Sequence, residues 1–184
     1  SRYIAPDNRT CRVVFGDAAT ATWVGQEESP DVPGQLGHFI MRTDGSGAEN
    51  LIVRKGGLKE PLSWPDSPQP EIFMDGTEIF TFAILRVPQI LKDLYKEAAV
   101  EIDDIDWCIF HQANKFMIDQ LEVHTGFPKD KVLRFYEDVG NTVSSSIPLT
   151  LSHYQNEGLL HEGHRIALVG FGVGYSWAAG IVTL

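Results

Sequence analysis

Cysteine is scarce: Cys11 and Cys108 are the only two in 184 residues. Two cysteines cannot make a disulfide framework. With no signal-peptide pattern in view, a reducing, cytoplasmic setting is the expectation. Basic residues are also few, 15 Lys and Arg against 25 Asp and Glu, for a formal net charge of −10. A surface of that sign repels phosphate backbones and excludes nucleic-acid binding by charge alone. No apolar run approaches the roughly 20 residues that span a bilayer, so no membrane partner is expected. His124, His153, His161 and His164 fall into neither Cys-x-x-Cys nor His-Glu-x-x-His spacing, which argues against a metal. The glycine-rich stretch from Gly170 to Gly174 leads into strand-like residues, not a helix. It therefore matches neither a dinucleotide fingerprint nor a phosphate cradle.

What is present is ordinary globular composition: 43% hydrophobic and 22% charged, with 17 Gly and 10 Pro. The length suits one domain over 1–184. The chain starts at Ser1 and runs almost at once into a strand-like pattern, as a piece of a longer polypeptide would.

Residues 12–15 and 20–24 are β-prone and separated by Gly16-Asp17, so an antiparallel pair is expected there. Residues 38–41 read as a third strand, closed by the turn residues Asp44 to Gly47. Gly56, Gly57, Pro61, Pro65, Pro68 and Pro70 make 54–71 an irregular loop. Asp75 reads as the N-cap of a helix whose apolar positions run from Ile79 to Leu94, with Pro88 expected to kink it. Strands follow at 106–110, 132–136, 166–169 and 175–184. Helices are expected at 113–125, stopped by Gly126, and at 144–156, with Pro148 tolerated in its first turn. Strands alternating with helices predict an α/β fold with a mostly parallel sheet, its sites in the loops after strand ends.

Three such loops carry polar clusters. His111 ends a strand and opens a helix. It reads either as a capping histidine or as a neutral ring that polarises a carbonyl. Asn141, after Gly140, is either turn chemistry or an amide donor to an oxyanion beside His111. Gly170 to Gly174 is either a tight bend or a set of backbone N–H donors. Neither cysteine suits a nucleophile. Cys108 lies in an apolar strand, three residues from His111 and so on the opposite face, and Cys11 has no basic group fixed beside it.

Together these loops resemble a known family. His111-Gln112-Ala113-Asn114 is similar to the HQAN motif of β-ketoacyl-acyl-carrier-protein synthase III, among the thiolase-like condensing enzymes. Gly140-Asn141-Thr142 with Ser144 to Pro148 is similar to its GNTSAASxP segment, thirty residues on from His to Asn. Gly170 to Trp177 resembles its FGGGxTW ending, Phe15 to Ala21 its FGDGAGA, and Met74 to Phe80 its MxGxxVF. The five motifs keep their order from residue 15 to residue 177. They cover essentially the whole chain but only the C-terminal half of the family's enzyme.

The resemblance implies a thiolase-like α/β fold, one half of a pseudo-duplicated architecture, with a mixed five-stranded sheet and helices packed on it. It also implies a Cys-His-Asn site in which the cysteine takes an acyl group from acyl-coenzyme A. His111 and Asn141 would stabilise the enolate formed when a malonyl-acyl-carrier-protein thioester decarboxylates, and the thioesters would be substrates, with no cofactor. Substrate contacts would come from Asn114, Phe171, Gly172 and Val173, where Val173 replaces a glycine and narrows the acyl pocket. Lys115 is the counterpart of a basic carrier-docking residue, while Val123 and His124 stand where a basic pair belongs. The cysteine would lie in an N-terminal half, joined in cis or in trans. The full-length enzyme would be a homodimer and this chain alone inactive. Related acyl transfer to an alcohol or amine, and a non-catalytic subunit, are the alternatives.

Overall fold

The computed structural model describes residues 3–25, 34–56 and 71–184. Its centre is a four-stranded sheet made of β1 (Gln35–Thr43), β4 (Trp107–Phe110), β5 (Arg165–Gly172) and β6 (Ser176–Thr183), in the order β1-β6-β5-β4. A separate antiparallel pair joins β2 (Leu51–Val53) to β3 (Ile72–Met74). The helices are α1 (Arg9–Arg12), α2 (Gly76–Ala98), α3 (Lys115–Thr125) and α4 (Ser146–Asn156).

Side-chain alternation along the strands builds two cores. Cys108 and Phe110 of β4, with Ala167, Val169 and Phe171 of β5, face the side covered by α2 and α3. Ile109 and Ile166 face the other side, with Leu133, Leu160 and the apolar residues of α4. β4 and β5 are thus buried on both faces, which explains their unbroken apolar runs. Asp75 Oδ1 caps α2 by accepting from the N–H groups of Thr77 and Glu78, both at 3.1 Å. α2 buries Phe82, Ala83, Val87, Ile90, Leu91 and Leu94, and Pro88 stands inside it without ending it. No described helix is long and apolar enough to cross a membrane.

Several expectations need correction. The sheet is mixed, as the family resemblance implies, not mostly parallel as the strand–helix alternation suggests: β4 pairs parallel to β5, whereas β5–β6 and β1–β6 are antiparallel. Consecutive strands joined by the short Gly-rich turn can pair only as a hairpin. Residues 132–136 do not form a fifth strand. Val132 makes one parallel bridge to Cys108, after which the segment is held by the Gln112 side chain. The antiparallel pair over 12–15 and 20–24 is absent. Asn8 Oδ1 accepts from Cys11 N–H at 3.0 Å and starts α1 instead, and residues 20–24 are exposed without a ladder. Their β-prone side chains find no neighbouring strand among the described residues, and β propensity has little force without one. Residues 57–70 of the expected irregular loop lie outside the described residues.

Candidate active site

His111 is placed by the last rung of the β4–β5 ladder, where its N–H donates to Val169 O at 2.7 Å. One residue on, Gln112 turns inward and is wholly buried. Its Nε2 donates to Phe110 O at 2.7 Å and its Oε1 accepts from Phe135 N–H at 2.8 Å. Both ends of the amide are satisfied, so Gln112 pins the 132–136 segment under the His111 loop. Asn114 then caps α3, its Oδ1 accepting from Met117 N–H at 2.9 Å.

Asn141 is placed by distant backbone. Its N–H donates to Val14 O at 2.8 Å, and its C=O accepts from Gly16 N–H at 2.9 Å. The two strands of this clamp approach so closely that only glycine fits at either crossing. A Cβ on Gly16 would lie 1.8 Å from Val139 O. At Gly140, φ is +67° and a Cβ would lie 2.9 Å from Val14 O. Ser145 Oγ adds a bond to Ala18 O at 3.4 Å. Asn141 Oδ1 accepts from Val143 N–H at 2.9 Å, which identifies the other end of the amide as the Nδ2 donor. That Nδ2 has no hydrogen-bond partner among the described residues, although Asn141 is only 7% exposed. Val143 reaches this bond at φ +55°, an unusual conformation for a β-branched residue.

His111 and Asn141 open onto one cavity of about 450 Å³, whose wall is mostly apolar. Phe171, Gly172 and Val173 of the β5–β6 turn line it, as does Asn114. Phe171 meets the His111 ring edge-on, with centroids 5.3 Å apart at 83°. Burial pushes the His111 pKa down to about 4, and the Val143 backbone opposes that shift. The ring is therefore neutral at pH 7 and can donate from one nitrogen while accepting at the other.

Lys115 stands apart. It does not line the cavity, and its ammonium lies 2.5 Å from Asp119 Oδ2, which raises its pKa. Arg134 is similarly engaged, 3.2 Å from Asp119 and paired also with Glu122. Val123 and His124 are exposed on α3. Both cysteines are buried away from the cavity, and burial raises both thiol pKa values. Sequence reasoning quoted Gln112 and Ser146 inside motif segments but gave them no role, and it missed the role of residues 14–18. The last of these had a signal in the glycine of the Phe15-Gly16-Asp17 motif.

Residues 95–184 match the family described as 3-oxoacyl-[acyl-carrier-protein (ACP)] synthase III C terminal. Across its length the chain resembles the C-terminal halves of synthase III proteins. It is 37% identical over 186 residues to β-ketoacyl-[acyl-carrier-protein] synthase III of Synechocystis sp., covering 99% of this chain and 55% of that protein. A synthase III of Streptomyces coelicolor is 34% identical, with 100% and 55% covered. The crystal structure of a 3-oxoacyl-(acyl-carrier-protein) synthase III superposes with a TM-score of 0.85 at 35% identity, covering 99% of this chain and 57% of the other. The Burkholderia xenovorans structure gives 0.80 at 31%, with 100% and 53% covered. The chain thus spans about half the length of its curated synthase III relatives, and its fold is thiolase-like.

Proposed function

We propose that this chain supplies the His/Asn part of an acyltransferase site that catalyses decarboxylative Claisen condensation. The observation that carries this reading is the shared cavity. A neutral imidazole and an unpartnered amide Nδ2 open onto one apolar space. Two neutral donors in an apolar cavity suit an enolate oxygen, because they stabilise charge that appears only as the reaction proceeds. In the proposed step, the C–C bond to the carboxylate of a malonyl thioester breaks and carbon dioxide leaves. The electron pair moves onto the thioester oxygen, held by His111 and Asn141. The enolate carbon then attacks an acyl-cysteine carbonyl, forming a C–C bond and releasing the thiolate. The described residues hold no thiol at the cavity, so the cysteine comes from a second half, in cis or in trans, and the assembled enzyme works as a dimer. Only the thioester substrates are required, with no added cofactor.

The test uses the enzyme completed by its cysteine-bearing half. His111→Ala and Asn141→Ala should each slow malonyl-thioester decarboxylation by about 10²- to 10³-fold, the range for removing one oxyanion donor. Unchanged rates in both variants overturn the proposal. A second reading, acyl transfer to an alcohol or amine, is favoured by the pairing of Lys115 and Arg134 with carboxylates. Cations already paired attract an acidic carrier protein only weakly. Comparing malonyl-carrier with alcohol and amine acceptors separates the two.

A further inference from the structure

Behind His111 stands a hydroxyl from the segment similar to GNTSAASxP, to which the motif itself gave no role. Ser146, the first residue of α4, is 2% exposed. Its Oγ lies 2.8 Å from His111 Nδ1 and 3.2 Å from the backbone N of Gln112. The roles at these two contacts differ. The Gln112 N–H can only donate, so Ser146 Oγ accepts there. The hydroxyl has one proton to give, and among the described residues the other polar atom bonded to Oγ is His111 Nδ1.

We propose that Ser146 is a positioning residue that donates its hydroxyl proton to His111 Nδ1, fixing the imidazole as the Nε2–H tautomer. The opposite arrangement puts the ring proton on Nδ1 and points it at Ser146 Oγ. The serine proton would then have no acceptor among the described residues although Ser146 is 2% exposed, an arrangement that folded proteins avoid. Geometry reinforces the choice. Gln112 is clamped at both ends of its side chain, so the N–H that holds Ser146 is itself fixed. α3 and α4 both start beside the ring, and helix N-termini disfavour imidazolium, which leaves the tautomer as the question to be decided. A ring locked with its proton on Nε2 presents one donor in one direction. A free ring divides its proton between two nitrogens and offers that donor for only part of the time. The functional consequence rests on the proposed donor role of His111, whereas the tautomer does not.

Nitrogen NMR of the His111 imidazole at neutral pH tests the assignment on the unaltered protein. The expected signature is pyridine-like at Nδ1 and pyrrole-like at Nε2, and a pyrrole-like Nδ1 overturns the inference with no variant needed. Ser146→Ala should move both signals toward the averaged values of free imidazole, and Ser146→Thr, which keeps the hydroxyl, should restore them. Signals unchanged by Ser146→Ala also overturn it. In the completed enzyme, Ser146→Ala should lower kcat for malonyl-thioester decarboxylation about tenfold with little change in KM, the pattern of a lost transition-state interaction. If the tautomer shifts while kcat holds, the positioning role stands and the donor role of His111 falls.

Discussion

His111 and Asn141 share a cavity, yet they are held there by different means. Beyond the backbone rung to Val169, the His111 side is built from side chains: the Ser146 hydroxyl, the Phe171 edge and the doubly bonded Gln112 amide. The Asn141 side is built from backbone, with reciprocal bonds to Val14 and Gly16 across a gap too narrow for a Cβ. A side-chain support can be loosened by one substitution at a time and tunes the chemistry of what it holds. A backbone clamp is close to all-or-none, because its parts cannot move independently.

The sharpest way to break this contrast is Gly16→Ala. The new Cβ meets a backbone oxygen at 1.8 Å, which no rotamer change relieves. Destabilisation of about 3 kcal/mol or more is expected, read as a lower urea midpoint. The next effect belongs to the His111 side and to pH. Its folded pKa of about 4 lies below the ordinary 6.5, so the unfolded chain binds more protons between those values. Stability is fully present above pH 6.5 and falls as pH drops toward 4, by roughly 3 kcal/mol in all. A His111→Gln variant, measured in parallel, should lack that component of the acid sensitivity. A pH dependence identical in both proteins would show that His111 is not held neutral by burial.

Gln112→Ala comes third. It orphans the half-buried Phe135 N–H and the buried Phe110 carbonyl, and should cost about 2 kcal/mol while leaving the Asn141 clamp in place. Loss of amide protection at Phe135 but not at Asn141 would confirm that the two sides are separate. The smallest effect is expected at Val143, which is 57% exposed and therefore loses little packing when shortened. Val143→Gly relieves the left-handed strain, partly offset by greater freedom of the unfolded chain. A net gain of about 0.5 kcal/mol should appear as a small rise in Tm.

The same contrast explains what the sequence disclosed. His111 and Asn141 stood out because each closes a run of readable local signals: an apolar strand before His111, and a Gly-Asn turn ahead of a helix start at Asn141. β4, β5, β6 and the Asp75 cap of α2 were legible for the same reason, since periodicity and capping are local. Ser146 was hidden because a serine in a Ser-rich helix start reads as capping, and its partner lies 35 residues away. Residues 132–136 looked like a strand because Val132 and Leu133 are apolar, but a buried glutamine from another loop took the place of the ladder. Residues 20–24 carry strand-like side chains without a strand to pair with, and no local pattern reports that.

The Phe15–Asn141 bridge also bears on how the molecule assembles. The contacts that fix His111 close loops of 23 to 60 residues, whereas the bridge that fixes Asn141 joins chain segments more than a hundred residues apart. Loop-closure entropy rises with the length enclosed, and distant pairings form late. His111 is therefore expected to be in position before Asn141 as the chain folds. In native-state hydrogen exchange, the Asn141 amide should open more readily than that of His111. The half-made site expected on the folding route is one with its imidazole in place and its amide still free.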